Sequence, residues 1–227
     1  MGEKRAGRAG TAPRGPIRRA LTGRISKLFG RLQASQQEHR RLQFAAVGVP
    51  TNRIVFLGDS ISEFGLWDEW FPDRPVLNRG IGGETSAQVL ARLDTAISEP
   101  QAVFLLIGTN DLAAGVSEDQ IVRNVRSILQ GIEDRAPGTP VFLQSVMPRT
   151  ADFRAEIETL NSRYRRLAES FAAHVQYVDL WPDLVDETGC LKKEYTLDRL
   201  HLNGAGYRAW VDILRPWVAA VPSQRAG

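Results

Sequence analysis

Short apolar segments alternate with helical repeats of apolar residues over most of the chain. The apolar segments predict five strands, at residues 53–57, 76–78, 102–107, 141–146 and 175–180. Apolar residues recur at helical spacing at 61–70, 85–98, 118–134, 153–173 and 203–219. The third strand is almost wholly apolar, which is typical of a strand covered on both faces. Five strand–helix units predict an α/β fold, with a mostly parallel sheet between two layers of helices.

The first 50 residues follow a different pattern and predict a separate N-terminal arm. Residues 1–15 are rich in Gly, Ala, Arg and Pro, a composition typical of disorder. An amphipathic helix is predicted next, from apolar residues at helical spacing: Ile17, Leu21, Ile25, Leu28, Phe29 and Leu32. The arm has 11 Lys and Arg against 2 Asp and Glu, whereas the remainder has 18 against 24. We therefore divide the chain into a basic arm, 1–50, and a domain, 51–222.

The basic arm has three interpretations that the sequence leaves open. A basic amphipathic helix binds an anionic membrane surface as a peripheral contact, binds a protein partner, or packs against its own domain. Nucleic acid is disfavoured as a partner, because stacking aromatic residues are not interleaved with the basic ones and no recognition motif accompanies them. The pattern makes no prediction about oligomeric state.

Composition narrows the class of protein further. Hydrophobic residues make up 43% of the chain and charged residues 24%, as in ordinary globular proteins. No apolar segment approaches the length of a membrane span and no export signal is evident, which predicts a cytoplasmic location. The single cysteine, Cys190, permits no internal disulfide. Without a matching Cys and His cluster, we expect no metal site.

Polar motifs follow the predicted strands at their carboxyl ends. Gly-Asp-Ser lies at 58–60 after the first strand, a Gly-rich segment at 80–85 after the second, and Gly-Thr-Asn-Asp at 108–111 after the third. Asp198 and His201 come after the fifth strand, before the last helix. In doubly wound sheets the ligand binds beyond the carboxyl ends of the strands, so these motifs are expected on one rim.

Ser60, His201 and Asp198 have the residue types of an activated nucleophile. A serine hydroxyl attacks only when a base accepts its proton, and imidazole does this near neutral pH. Asp198 is expected to orient His201 and to stabilise the imidazolium. The alternative is that Ser60 only caps a helix and His201 is a surface residue. His39 and His174 are weaker candidates, because neither has an acidic residue three positions before it.

An oxyanion site is predicted beside this nucleophile. Backbone N–H groups and side-chain amides that are held in place stabilise the negative oxygen formed during attack on a carbonyl. The candidate donors are the N–H of Ser60, the N–H of Gly83 and the side-chain amide of Asn110. Alternatively, Gly-Gly at 82–83 is only a tight turn, and 108–111 is only a strand exit with helix-capping residues.

The four motifs, in this order, resemble the SGNH/GDSL hydrolase superfamily over residues 53–219. They are Gly-Asp-Ser-Ile at 58–61, Gly-Ile-Gly-Gly-Glu-Thr at 80–85, Gly-Thr-Asn-Asp at 108–111 and Asp-Arg-Leu-His at 198–201. The residues of these motifs are most similar to those of the platelet-activating-factor acetylhydrolase-like branch, although Ile61 replaces the leucine of the family name. The resemblance implies a flavodoxin-like three-layer αβα sandwich, no cofactor, and serine esterase chemistry through an acyl-enzyme.

The sequence therefore predicts a hydrolase of small-molecule carboxylic esters, with short-chain acyl groups favoured. A carbohydrate O-acetylesterase or an acyl thioesterase with the same machinery is the nearest alternative, and a non-catalytic membrane or partner adaptor is another. The chain lacks a Gly-x-Ser-x-Gly elbow and a phosphate-binding P-loop, which disfavours those two classes. Two interpretations are open for Trp67, Trp70 and the segment 147–149, which either line a substrate pocket or belong to the core. Asp59 is expected to orient the turn that carries Ser60.

Overall fold

A computed structural model of the chain describes residues 16–171 and 174–222, except for the side chains of residues 16–29 and 31. The predicted disorder at 1–15 and most side chains of the predicted amphipathic stripe therefore lie outside the described residues. The chain divides into two compact units, Met1–Gln36 and Gln37–Gly227. Residues 37–50, which the sequence analysis placed in the arm, thus belong to the same unit as the sheet.

The sheet has five strands, all of which pair in parallel. They are β1 (Ile54–Gly58), β2 (Val76–Gly80), β3 (Ala102–Leu106), β4 (Val141–Gln144) and β5 (Val175–Val178), in the order β2-β1-β3-β4-β5. The order reverses between β1 and β3, because β2 lies on the outer side of β1. This confirms the predicted α/β class and the parallel sheet, and it places the topological switch point next to residues 59–60.

Ten α-helices lie within the described part of the chain. They are α1 (Pro16–Val47), α2 (Ser60–Glu63), α3 (Trp67–Trp70), α4 (Ser86–Leu90), α5 (Leu93–Ala96), α6 (Thr109–Ala113), α7 (Glu118–Arg135), α8 (Arg154–Glu169), α9 (Trp181–Leu184) and α10 (Gly204–Ala220). Short 3₁₀ turns occupy Ala151–Phe153 and Lys193–Tyr195. The sequence predicted single helices at 61–70 and 85–98, but each is two short helices. The second breaks at Arg92, whose side chain turns inward to Glu84.

Side chains of the strands alternate between two apolar layers. Val55 and Leu57 face one layer, which also contains buried residues of α7 and α8. Ile54 and Phe56 face the other, where residues of α3 and α10 pack against the sheet. The unit from Gln37 onward is therefore the predicted three-layer αβα sandwich. Of the helices described, none is long and apolar enough to cross a membrane.

Candidate active site

The turn that carries Ser60 joins β1 to α2 at the carboxyl edge of the sheet. Asp59 precedes the helix, and its Oδ1 accepts a hydrogen bond from the N–H of Ile61 at 3.0 Å. At Gly58 a side chain would overlap the carbonyl oxygen of Leu106 on the neighbouring strand, so glycine is required. The turn therefore lies tightly against β3 and presents Ser60 at the first position of α2.

Ser60, His201 and Asp198 form a continuous chain of hydrogen bonds. The Oγ of Ser60 lies 3.0 Å from Nε2 of His201, across 141 positions of sequence. The Nδ1 of His201 lies 2.7 Å from Oδ2 of Asp198. Because a neutral imidazole has one N–H, donation from Nδ1 to the carboxylate leaves the lone pair of Nε2 facing the serine hydroxyl. The structure thus brings together the three side chains that the sequence analysis selected.

The loop before α10 holds Asp198 through backbone donors. Its Oδ1 accepts from the N–H of Leu200 at 3.0 Å and from the N–H of His201 at 2.8 Å. Arg199 has a left-handed backbone with φ 63°, and its N–H donates to Oγ1 of Thr196 at 2.9 Å. Desolvation tends to raise the pKa of Asp198, but the hydrogen bonds from His201 and Leu200 outweigh it and lower the pKa to about 2.

Of the predicted oxyanion donors, Gly83 belongs to a turn beside Ser60, and Asn110 bonds to the residue after that turn. A Cβ on Gly82 would lie 3.6 Å from Cβ of Ser60, so this turn approaches Ser60 closely. Among the hydrogen bonds of the described residues, the N–H groups of Ser60 and Gly83 donate none. Asn110 donates one amide hydrogen to the carbonyl of Glu84 at 3.0 Å, which leaves its second hydrogen available.

The turn that carries Gly83 has unusual backbone geometry. Gly83 has φ 75°, a left-handed conformation that favours glycine. The preceding N–H, that of Gly82, donates to Oε2 of Glu63 at 2.7 Å. After the turn, Thr85 and Gln88 form a capping box that starts α4. Both ends of the turn are therefore fixed by polar contacts.

A buried ion cluster supports this turn, and sequence reasoning missed it. Glu84 is fully buried, and Arg92 binds its Oε2 at 2.6 Å. Arg41 binds Oε1 of the same carboxylate at 2.9 Å. Arg92 also donates to the carbonyl of Arg79 at 2.9 Å, which ties the cluster to β2. No local sequence pattern predicts these contacts, because Arg41 and Glu84 are 43 positions apart.

Asp59 lies beside Ser60, and its pKa is shifted in the opposite direction from that of Asp198. Burial raises the pKa of its carboxyl to about 7, and the hydrogen bond from Ile61 only partly opposes this. Its Oδ2 is buried and has no hydrogen-bond partner among the described residues. A protonated carboxyl avoids most of the cost of burying a charge in such a position.

The two tryptophans that follow Ser60 belong mainly to the core. Trp67 is 1% exposed and stacks on Phe56 with ring centroids 3.8 Å apart. Trp70 is partly buried and lies under the guanidinium of Arg208. These contacts support the core interpretation of both tryptophans. Phe64 instead is 56% exposed, and its ring centroid lies 5.6 Å from that of His201.

Arg149 follows β4 and contacts the segment that follows β3. It donates to the carbonyl of Thr109 at 3.1 Å and lies over the ring of Phe153. Burial lowers its pKa, and the charges of Asp59 and Asp198 act in the opposite direction.

No group of three or more His, Cys, Asp or Glu side chains suited to a metal ion occurs in residues 16–171 and 174–222.

The chain is similar to curated proteins over about two thirds of its length. Platelet-activating factor acetylhydrolase IB subunit alpha1 from Homo sapiens is 30% identical over 165 residues, which cover 68% of this chain and 70% of that protein. The subunit from Bos taurus is 29% identical over 164 residues, covering 68% and 69%. Both alignments extend over most of the sheet-containing unit.

Solved structures share the fold. A Streptococcus pneumonia protein, described as a candidate platelet activating factor, superposes with a TM-score of 0.81 at 30% identity, covering 86% of this chain and 99% of that chain. A GDSL-like lipase from Bacteroides thetaiotaomicron gives 0.69 at 27% identity, covering 81% and 97%. An acetylxylan esterase from Geobacillus stearothermophilus gives 0.61 at 18% identity, covering 78% and 99%, and shows the fold alone.

A sequence profile of the GDSL-like Lipase/Acylhydrolase family matches residues 56–209, which contain all the candidate site residues. Together with the acetylhydrolase and lipase relatives, this match confirms the predicted superfamily and the prediction of an ester-hydrolysing enzyme. The chain belongs to the GDSL-like Lipase/Acylhydrolase family.

Proposed function

We propose that this enzyme is a serine esterase that cleaves carboxylic esters through an acyl-enzyme, with Ser60 as the nucleophile. The observation that carries the proposal is the hydrogen-bonded chain from Ser60 through His201 to Asp198, at 3.0 Å and 2.7 Å. Each contact lies within the distance at which a base accepts a proton from a nucleophile and a third group orients that base.

In the first half of the reaction, Oγ of Ser60 bonds to the carbonyl carbon of the ester. Its proton passes to Nε2 of His201, and Asp198 stabilises the resulting imidazolium. The carbonyl oxygen becomes an oxyanion, which accepts hydrogen bonds from Ser60 N–H, Gly83 N–H and Asn110. The bond to the leaving oxygen then breaks, and His201 returns the proton to that oxygen.

In the second half, water replaces the leaving alcohol. His201 accepts a proton from the water as its oxygen attacks the acyl carbon, and the same donors hold the second oxyanion. Collapse of this intermediate releases the carboxylic acid and returns the proton to Ser60. The cycle needs no group beyond these side chains and backbone amides.

For the substrate, we propose an ester of a short acyl group, with acetyl preferred. The relatives named platelet-activating factor acetylhydrolase support an acetyl group, because this chain aligns with more than two thirds of their length. Rates on p-nitrophenyl acetate, butyrate, octanoate and palmitate test the preference. A steady rise of kcat/KM with chain length would contradict it. Acetylated xylooligosaccharides and acyl-CoA, included in the same assay, test the two alternative leaving groups.

Substitution of Ser60 tests the mechanism. We expect Ser60→Ala to stay folded and to lose several orders of magnitude in kcat, on the order of 10⁴ or more, because the three residues act as a unit. Ser62→Ala is the matched control, since Ser62 belongs to the same helix but forms no hydrogen bond with His201 in the described structure. A fluorophosphonate probe should label the natural protein and Ser62→Ala but not Ser60→Ala. Activity retained by Ser60→Ala would contradict the mechanism.

A further inference from the structure

The last turns of α1 reach the candidate oxyanion loop, although they precede the region that matches the family. Gln37 is 7% exposed, and its Nε2 donates to the carbonyl oxygen of Gly82 at 2.9 Å. Its Oε1 accepts from Nε2 of Gln88 at 3.2 Å. Gln37 and these partners all belong to the unit that starts at Gln37. A buried amide therefore joins α1 to the turn beside Ser60.

This contact acts on the peptide that contains the predicted donor. The carbonyl of Gly82 and the N–H of Gly83 belong to one peptide group, which is planar and trans, so the two point in opposite directions. A donor that holds the carbonyl on the α1 side therefore turns the N–H of Gly83 away from α1. In this orientation the N–H donates to no other group of the described structure.

Two consecutive glycines would otherwise make this peptide easy to rotate. Glycine adopts positive and negative φ with similar ease, and Gly83 has φ 75°. The N–H of Gly82 is fixed by Glu63, but that contact lies on the preceding peptide group. Within the described structure, the hydrogen bond from Gln37 is the side-chain contact that fixes the carbonyl of the 82–83 peptide.

Neighbouring residues of α1 hold Gln37 in register with the loop. Arg40 pairs with Glu63 at 3.3 Å, and Arg41 pairs with the buried Glu84 at 2.9 Å. The ring of Phe44 is buried, and the guanidinium of Arg79 lies over it at 4.4 Å from the ring centroid. The end of α1 is thus attached to both sides of the 82–83 turn.

We propose that Gln37 is a positioning residue, which orients the 82–83 peptide so that the N–H of Gly83 donates to the oxyanion. This inference rests on the proposed esterase mechanism and adds a residue from outside the family match. Gln37 itself touches neither the substrate nor Ser60. Its effect is expected on the transition state rather than on substrate binding, because the oxyanion exists only during reaction.

The test replaces Gln37 by methionine in the full chain. Gln37→Met keeps the length of the side chain but removes both polar atoms, and Gln37→Glu places an acceptor opposite the carbonyl of Gly82. We expect kcat for p-nitrophenyl acetate to fall about 10- to 100-fold in Gln37→Met and further in Gln37→Glu. Neither loss should exceed the loss caused by removing a whole oxyanion donor. KM should change less than about 2-fold. Gln43→Met is the matched control, because Gln43 lies exposed on the same helix.

Two further readouts separate positioning from general damage. The fraction of reactive serine is titrated with a fluorophosphonate, and kcat is expressed per reactive site. The affinity for a boronic acid, which forms a tetrahedral adduct with an activated serine, should weaken by the same factor as kcat. The proposal would be overturned if kcat per reactive site in Gln37→Met equalled that of the natural protein, even if the reactive fraction fell.

Ser60→Ala distinguishes this inference from the mechanism on which it rests. If Ser60→Ala keeps its activity, the mechanism fails and the role of Gln37 fails with it. If Ser60→Ala is inactive while Gln37→Met has the natural kcat and boronate affinity, the role of Gln37 alone is wrong. A parallel loss of kcat and boronate affinity in Gln37→Met, with KM unchanged, supports both.

Discussion

Two aspartates lie next to the two candidate reacting side chains, and the pKa values of their carboxyl groups are shifted in opposite directions. Asp59 adjoins Ser60 and is fully buried, with one hydrogen bond from Ile61 and an unpartnered Oδ2. The side chain of Asp198 is 52% exposed, and it receives hydrogen bonds from Leu200 and both the ring and the backbone of His201. Burial raises the pKa of Asp59 to about 7, whereas hydrogen bonding lowers that of Asp198 to about 2.

The difference shows that proximity to the site does not assign a chemical role. An aspartate that stabilises an imidazolium must stay charged at neutral pH, and donors around Asp198 ensure this. Asp59 is half protonated near pH 7 and shapes the turn through its bond to Ile61. We therefore expect Asp198 to affect turnover and Asp59 to affect stability.

Asp198→Asn should have the largest effect and is the strongest test of this comparison. The neutral amide cannot stabilise the imidazolium and favours the wrong tautomer of His201, so kcat should fall by about 10³- to 10⁴-fold. Steady-state kinetics with p-nitrophenyl acetate measures this. Asp179→Asn, at an exposed pair with Arg165, should keep the natural kcat. If Asp198→Asn loses less than about 10-fold, Asp198 is not the orienting acid.

Asp59→Asn tests the other half of the comparison through the pH dependence of stability. In the folded state Asp59 keeps its proton up to a pH of about 7, whereas in the unfolded state it loses it near 3.8. The free energy of unfolding therefore falls as the pH rises from about 4 to 7, by up to about 4 kcal/mol from this group. Below pH 4 and above pH 7 its contribution is constant.

The asparagine variant should remove that slope while keeping the bond to Ile61, since its Oδ1 still accepts. Urea unfolding at pH 4.5 and pH 7.5 measures the slope, and the natural protein should lose more stability between them than Asp59→Asn. Asp134→Asn, at an exposed position of α7, is the control and should behave as the natural protein does. Equal slopes in Asp59→Asn and the natural protein would show that Asp59 is ionised in the fold.

Thr196→Val should have an intermediate effect, because Thr196 supports Asp198 without touching His201. Its Oγ1 accepts from the N–H of Arg199 at 2.9 Å and lies 3.3 Å from Oδ1 of Asp198. Loss of these bonds costs about 1 kcal/mol and loosens the carboxylate, so kcat should fall about 5- to 10-fold. Thr188→Val, in the exposed turn before Cys190, is the control. A loss as large as that of Asp198→Asn would mean that Thr196 holds the whole loop.

The contrast also explains what the sequence could predict. Strand positions and strand ends follow from apolar patterning, and parallel strands bring their carboxyl ends to one edge. Ser60 follows β1 by two residues and Asn110 follows β3 by four, so topology places both at that edge. Asp198 and His201 lie 20 and 23 residues after β5, and the loop before α10 returns them to Ser60. The distances of 3.0 Å from Ser60 to His201 and 2.7 Å from His201 to Asp198 depend in addition on the conformation of the loops.

The contacts of Gln37 and Arg41 could not be predicted in this way. They join α1 to the 82–84 segment across 45 and 43 positions, and neither residue lies at a strand end or in a recognisable motif. The sequence pattern grouped them with the basic arm on charge alone. Likewise, the burial of Asp59 depends on how the whole turn packs against β3, which local sequence does not report.

Leu197→Ser should have the smallest effect and sharpens the description of the exposed side of the site. Leu197 precedes Asp198 and is 96% exposed, so it buries almost nothing in the fold. Stability should change by less than about 0.5 kcal/mol, because Asp198 is held by hydrogen bonds rather than by apolar packing. The kcat for p-nitrophenyl acetate should also equal that of the natural protein. If kcat/KM for octanoate falls while that for acetate does not, Leu197 contacts the acyl chain, and this exposed loop selects substrate as well as holding the acid.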